Sequence, residues 1–255
     1  FLAAAIQLHQ AGELPANSYA IDLDAVEGNA RTIHAAATAL GLKVFAMTKQ
    51  VSRNKGFCEA LMRAGITRSV AVDMECARAT HRAGMSLGHI GHLVQVPRAE
   101  ADTAAAMDPA YWTVFSDHKA AEAATAMSRR GKIVNLLARI VSEGDTFYRG
   151  HEGGFPAQSI VEVADRLDAL GGARFAGITT FPSQLFDPRT RSIRPTPNTE
   201  TLRRARDLLS KAGRHDLEIN APGTTSSVML AALAEWGATQ CEPGHGLTGT
   251  TPLHA

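Results

Sequence analysis

Val44-Phe45-Ala46-Met47-Thr48-Lys49-Gln50 is the stretch on which the fold turns. Four mostly apolar, β-forming residues run into a polar Thr-Lys-Gln tip, and Ser52, Asn54, Lys55 and Gly56 then break the pattern. That order predicts a short buried strand ending at a loop, with a lysine where the strand stops. A lysine in such a place is most often a solvated charge. At the mouth of an α/β barrel it can instead be an amine held out of water and reactive enough to form a Schiff base. The rest of the chain decides between the two.

Ahead of this strand, an Ala-rich segment at 2–10 predicts a helix stopped at Gly12. Alternation over 19–23 predicts a strand, with Asp24 as the cap of a helix through 25–40 that ends at Gly41. Beyond it, strands are predicted at 69–73, 87–94, 112–115, 133–141, 174–179, 217–220 and 239–242. Helices are predicted between them at 56–64, 74–83, 99–106, 119–127, 158–170, 199–212 and 227–236. In the helix at 199–212, Leu202, Ala205, Leu208 and Leu209 make the apolar stripe, while Arg203, Arg204 and Arg206 face solvent. Counted from the Lys49 strand there are eight strands, each separated from the next by a helix. Regular βα alternation means a parallel sheet, and eight units in a chain of this length predict a (β/α)8 TIM barrel. A doubly wound open sheet is the alternative, but no Gly-x-Gly-x-x-Gly fingerprint follows the early strands. The expected organisation is a barrel over 18–246, an N-terminal helical segment over 1–17, and the start of a truncated C-terminal β-domain at 247–255.

Composition narrows the function. The formal net charge is +1, with 26 Lys+Arg against 25 Asp+Glu, which gives no electrostatic case for nucleic acid or an anionic membrane. Cys58, Cys76 and Cys241 lie far apart without Cys-x-x-Cys spacing. Neither a disulfide framework nor a structural zinc site follows, and a reducing, cytoplasmic compartment is expected. No apolar run reaches the roughly 18 residues of a membrane span, and no signal peptide is visible. The chain opens at Phe1 and stops at Ala255, so both ends are expected to be cut from something longer.

Barrel active sites lie at the C-terminal ends of the strands. Lys49 ends the first barrel strand and Glu242 the eighth, and closure would make those strands neighbours. The seventh strand runs into Asn220-Ala221-Pro222-Gly223-Thr224-Thr225-Ser226-Ser227 before a helix. Glycine and hydroxyl residues before a helix N-terminus make an anion cradle, at the position where these barrels recurrently bind phosphate. An ordinary N-cap loop is the simpler reading, but four consecutive hydroxyls exceed what a cap needs. Glu242-Pro243-Gly244-His245-Gly246 adds a second glycine-rich loop, where backbone can approach a ligand closely. An amine, a carboxylate and a phosphate cradle on one rim are what a pyridoxal phosphate site requires.

With these motifs in place the chain resembles the alanine-racemase-type (fold type III) pyridoxal-phosphate barrel over nearly its whole length. The resemblance rests on Tyr19-Ala20-Ile21-Asp22-Leu23-Asp24-Ala25 with Asn29, on Thr48-Lys49, on Val70-Ala71-Val72-Asp73-Met74-Glu75-Cys76-Ala77, and on Glu242-Pro243-Gly244. It looks most like a poorly characterised bacterial racemase-like subgroup. The resemblance implies that Lys49 carries the cofactor and that Arg139, Thr180, Asn220, Gly223, Thr224, Thr225, Ser226, Glu242, Gly244 and His245 surround it. Two departures stand out. True alanine racemases place an arginine at this position, whereas this chain has Glu242, a glutamate that the similar ornithine and diaminopimelate decarboxylases share. Thr180 stands where relatives often carry a histidine.

Arg139 would point into the mouth if Leu137 and Val141 share its face, and then needs an anionic partner such as the cofactor's phenolic oxygen or a substrate carboxylate. The alternative is an outward residue. His89 and His92 are expected to make local hydrogen bonds only. The segment 183–198, with Arg189, Arg191 and Arg194, is too long for a plain βα connection. It is either a lid that selects acidic substrates or a solvated insertion. The resemblance implies an enzyme acting at the Cα of an amino acid, racemisation first and aldol cleavage or decarboxylation second. A non-catalytic cofactor carrier is the reading from another class. A homodimer is implied, and the substrate-side base would come from a C-terminal β-domain that this sequence lacks.

Overall fold

The computed structural model describes residues 1–249, and the last six residues of the expected 247–255 segment lie outside them. The sheet is built from β1 (Lys43–Val44), β2 (Ala46–Met47), β3 (Arg68–Val70), β4 (Ser86–Ile90), β5 (Tyr111–Val114) and β6 (Val134–Val141), with a short β7 (Phe155–Pro156) beside β6. It continues through β8 (Ala173–Thr179), past an antiparallel pair β9 (Gln184–Asp187) and β10 (Ser192–Pro195), to β11 (Glu218–Asn220) and β12 (Gln240–Cys241). The helices are α1 (Leu2–Gln10), α2 (Leu23–Ala39), α3 (Lys55–Arg63), α4 (Met74–Arg82) and α5 (Ala101–Ala106). They continue with α6 (Asp117–Ser128), α7 (Ile160–Asp168), α8 (Pro197–Lys211), α9 (Leu230–Glu235) and α10 (His245–Thr248).

The hydrogen-bonded path runs β1-β12-β11-β8-β6-β5-β4-β3-β2, and every pairing along it is parallel. Its two ends, β1 and β2, are halves of one strand interrupted at Phe45. One half pairs with β12 and the other with β3, so the sheet closes on itself through that residue. The seam extends past the short ladders: Phe45 N donates to Cys241 O at 3.0 Å and Met47 N to Pro243 O at 2.9 Å. The (β/α)8 barrel expected from the alternation is what forms.

Parallel strands covered by helices are buried on both faces, and β5 is buried at all four positions. The helices show their inner face by spacing. Ile160, Val163, Ala164 and Leu167 of α7 are buried at i, i+3, i+4 and i+7. On α8 the stripe is narrower than expected, because Leu202, Ala205 and Leu209 are buried but Leu208 is 38% exposed. Side-chain caps start α2, α3, α4 and α6, from Asp22, Asn54, Asp73 and Ser116.

Two expectations near the N-terminus are corrected. Residues 19–23 form no strand, because the closed barrel leaves no unpaired edge there, and Tyr19 is 94% exposed. Asp22, not Asp24, caps α2 by accepting from Ala25 N at 3.0 Å. Asp24 sits in the first turn, where its charge favours the helix dipole instead. The helix expected at 2–10 is α1, and none of its residues is buried.

Candidate functional site

The C-terminal rim of the barrel opens into a cleft of about 210 Å³, with Lys49, Gln50, His92 and Glu242 among its lining. Loop 223–226 and loop 244–246 form one side of it, and Leu185, Phe186 and Ile193 of the β9–β10 pair another. Lys49 lies two residues beyond β2, at the start of a 3-10 turn over Lys49–Val51. It is exposed rather than held out of water, and its amine makes no hydrogen bond or ion pair among the described residues. Lys55 is different: it lies on α3, 75% exposed at its side chain, 3.6 Å from Glu59.

Glu242 follows β12 and is buried. Its Oε1 accepts from His89 Nδ1 at 3.0 Å and from Asn220 Nδ2 at 2.8 Å. The outer ring nitrogen of His89 meets the Thr113 hydroxyl, and Asn220 Nδ2 also reaches Thr179 Oγ1 at 3.1 Å. A polar belt therefore crosses the barrel from β5 through β4 to β12, β11 and β8, and it fixes one carboxylate oxygen. Among the described residues the other, Oε2, has no hydrogen-bond partner, and neither does either ring nitrogen of His92, whose Nε2 stands 3.2 Å from it.

Burial raises the proton affinity of Glu242, but the His92 ring and the hydrogen bonds from His89 and Asn220 outweigh it and hold the carboxyl below its usual range. Burial pushes His92 down instead, to about 3. The Glu242 charge opposes that shift, while His89, Arg139 and Lys49 add to it. His92 is a neutral imidazole at neutral pH. The sequence predicts only local hydrogen bonds for His89 and His92, because β4 is buried on both faces from Leu87 to Ile90 and carries no alternation that marks an inward face.

The two loops lie against each other, since a Cβ on Gly246 would stand 3.0 Å from the Thr225 carbonyl oxygen. Thr224 N donates to Gln184 O at 2.9 Å, whereas the amides of Thr225, Ser226 and Gly244 find no acceptor among the described residues. Glycine is required at Gly223, where the neighbour is backbone, whereas at Gly244 the neighbour is a side-chain tip that can move. A Cβ on Gly223 would overlap the Gln184 carbonyl and stand 2.8 Å from Gln184 N, and one on Gly244 would overlap the Gln50 amide. The helix expected after 223–226 begins as a 3-10 turn over Ser227–Met229 before α9. His245 is exposed at the cleft.

Other expected site residues lie behind the cleft wall. Asn220 acts on Glu242. Thr180 is buried and accepts from Asn198 Nδ2 at 3.2 Å. Arg139 is buried, with its guanidinium 4.8 Å from the Phe115 ring centroid and Nη2 donating to the His151 carbonyl at 2.6 Å and the Phe181 carbonyl at 3.3 Å. Burial lowers its pKa to about 10 against the pull of Asp145 and Glu152, and it has no ion pair among the described residues.

Sequence reasoning also missed an aromatic cluster. His92, Tyr148 and His151 each pack on Phe181, with ring centroids 5.7–5.9 Å apart. The segment 183–198 is the β9–β10 pair. Its arginines stay off the cleft lining, with Arg194 3.5 Å from Asp187, while its apolar residues face the cleft.

The sequence profile described as "Alanine racemase, N-terminal domain" matches residues 21–252. The uncharacterised Escherichia coli (strain K12) protein YhfX is 38% identical over 253 residues, covering 99% of this chain and 65% of YhfX. The D-threonine aldolase structure from Filomicrobium marinum superposes with a TM-score of 0.68 at 18% identity, covering 92% of this chain and 62% of that one. The alanine racemase of Clostridium difficile 630, complexed with cycloserine, gives 0.62 at 15% identity, over 88% of this chain and 60% of that one. The chain thus spans less than two thirds of the length of each.

Proposed function

The chain belongs to the alanine racemase N-terminal domain family, a pyridoxal 5′-phosphate-binding fold family, and from that premise we propose that its cleft holds this cofactor on Lys49 and that the full-length protein acts at the Cα of an amino acid. The observation that carries the reading is the convergence of four features on one cleft. They are an unpaired lysine, a buried carboxylate with one unpartnered oxygen, and two loops with unpartnered amides. The donor set fits the group. Lys49 offers an amine, the amides of Thr225, Ser226 and Gly244 suit a phosphate, and Glu242 Oε2 can accept from a ring N–H. When bound, the cofactor supplies an electron sink for the bonds at Cα.

The protein's own residues do the rest. His89 and Asn220 hold the Glu242 carboxylate in place, and Glu242 keeps negative charge where a ring nitrogen would sit. The rings of His92, Tyr148 and Phe181 line the cleft beside it and limit water. Racemisation is the first reading by family. A lyase reaction, such as aldol cleavage or decarboxylation, is the second, and the carboxylate at position 242 favours it because a protonated ring is the stronger sink. A homodimer of the full-length protein is proposed on the same family ground, and no described helix is long and apolar enough to cross a membrane.

Borohydride reduction of the cofactor-loaded protein should fix the cofactor to the peptide carrying Lys49. A label on the Lys55 peptide, or none, sinks the site assignment. Incubation with amino acids in deuterium oxide then separates the outcomes: Cα deuteration with inversion means a racemase, loss of aldehyde or carbon dioxide a lyase, and neither a cofactor carrier.

A further inference from the structure

His89, His92 and Glu242 bring two imidazoles and a carboxylate together, all buried, with one ligand atom from each within 4.8 Å of the others; His92 and Glu242 line the cleft, and His89 stands behind them. Two gaps are fixed: 3.0 Å from His89 Nδ1 to Glu242 Oε1, and 3.2 Å from His92 Nε2 to Glu242 Oε2. Donors bound to a tetrahedral ion at about 2.0–2.1 Å stand roughly 3.3 Å apart, so the gap between His92 Nε2 and Glu242 Oε2 lies near a coordination edge, and His89 Nδ1 stands beside the other oxygen of the same carboxylate. The unmet hydrogen-bonding atoms gather at the same spot. Glu242 Oε2 and both His92 nitrogens have no hydrogen-bond partner among the described residues, although the cleft lining includes both residues.

The supporting contacts are also in place. Metal-bound histidines typically pass their other N–H to an acceptor, and metal-bound carboxylates are themselves hydrogen-bonded. The Thr113 hydroxyl meets His89 Nε2, and Asn220 Nδ2 donates to Glu242 Oε1 at 2.8 Å. Freeing His89 Nδ1 for a ligand bond needs only a tautomer change. The ring proton moves from Nδ1 to Nε2, and the Thr113 hydroxyl turns from donor to acceptor, with no net loss of a proton.

We infer that, without cofactor, His89, His92 and Glu242 bind one divalent transition-metal ion of the zinc class, with an open position toward the cleft. Two imidazoles and a single carboxylate suit zinc, cobalt or nickel and not calcium or magnesium, which require mostly oxygen donors. The ion occupies Glu242 Oε2, so metal and cofactor exclude one another. That exclusion rests on the cofactor reading above, and the metal binding itself does not.

The test uses untagged full-length protein stripped of cofactor, titrated with Zn²⁺ by calorimetry and with Co²⁺ by visible absorbance. One equivalent should bind, with the intense bands of a low-coordinate cobalt site. His92→Gln and Glu242→Gln should each weaken binding by at least about tenfold, with circular dichroism reporting the fold of each variant. Should one variant misfold, the other decides. No uptake by folded wild type, or undiminished affinity in a folded variant, overturns the site. Saturating pyridoxal phosphate should block uptake, and simultaneous binding of both overturns the exclusion. A protein that takes up the ion but never the cofactor fails the cofactor reading and leaves the metal site standing.

Discussion

At the scale of single residues, His92 and Glu242 make acid stability a direct readout of the cleft floor. The folded state holds His92 neutral down to about pH 3, whereas an unfolded chain protonates it near its ordinary 6.5. Between those values the unfolded state binds more protons, so stability rises with pH and is lost on acidification, by up to about 1.4 kcal/mol per pH unit. Glu242 adds a loss in the same direction, but only below its ordinary 4.5, because its folded pKa is depressed. The window from 6.5 to 4.5 therefore isolates the histidines, with His151, also lowered by burial, contributing in the same sense. Urea midpoints of wild type and His92→Gln should converge as pH falls through that window. Parallel curves would mean that His92 is charged in the fold. None of this was legible in the sequence, which shows a histidine on a strand but not which wall of a closed barrel it faces.

At the scale of elements, the β9–β10 pair and the loop after β11 are one unit. Thr224 N donates to Gln184 O, Ser183 N donates to Pro222 O at 2.8 Å, and Gly223 packs flat against the Gln184 backbone. Gly223→Ala forces a methyl into that backbone, which cannot yield as a side-chain tip would. The loop must move, and the free amides of Thr225 and Ser226 move with it. The expected result is a loss of pyridoxal phosphate affinity of about tenfold or more, at about 1.4 kcal/mol per decade, with a stability loss of about 1–3 kcal/mol from overpacking. Equilibrium dialysis at unchanged affinity would place the phosphate elsewhere. The loop's glycine and hydroxyls were readable, since their composition is local. The hairpin was not, because Asp187-Pro188-Arg189-Thr190-Arg191 hides short apolar arms, and only contact with Gly223 shows which arm faces inward.

At the scale of the whole molecule, the barrel closes at one residue. The alternation of strands and helices was legible because each unit carries its own periodicity and stop signals. How the last strand finds the first was not, since β1 and β2 are two residues each and pair with partners from opposite ends of the sheet. Phe45 sits between them, fully buried, with its ring edge-on to Tyr111 at 6.0 Å and to His89 at 6.4 Å. Gly88 on β4 has no side chain because that ring fills the space, and a Cβ there would overlap it. Phe45 therefore joins the seam of the barrel to the histidine that braces Glu242. Phe45→Ala should cost about 3–5 kcal/mol, the range for emptying a buried aromatic site. It should also loosen His89, so cofactor affinity should fall by more than the population of unfolded protein explains. Denaturant unfolding gives the first quantity, and cofactor titration under conditions where the variant is fully folded gives the second. A variant that is destabilised but binds cofactor at wild-type strength would mean that closure and the cleft floor are mechanically independent.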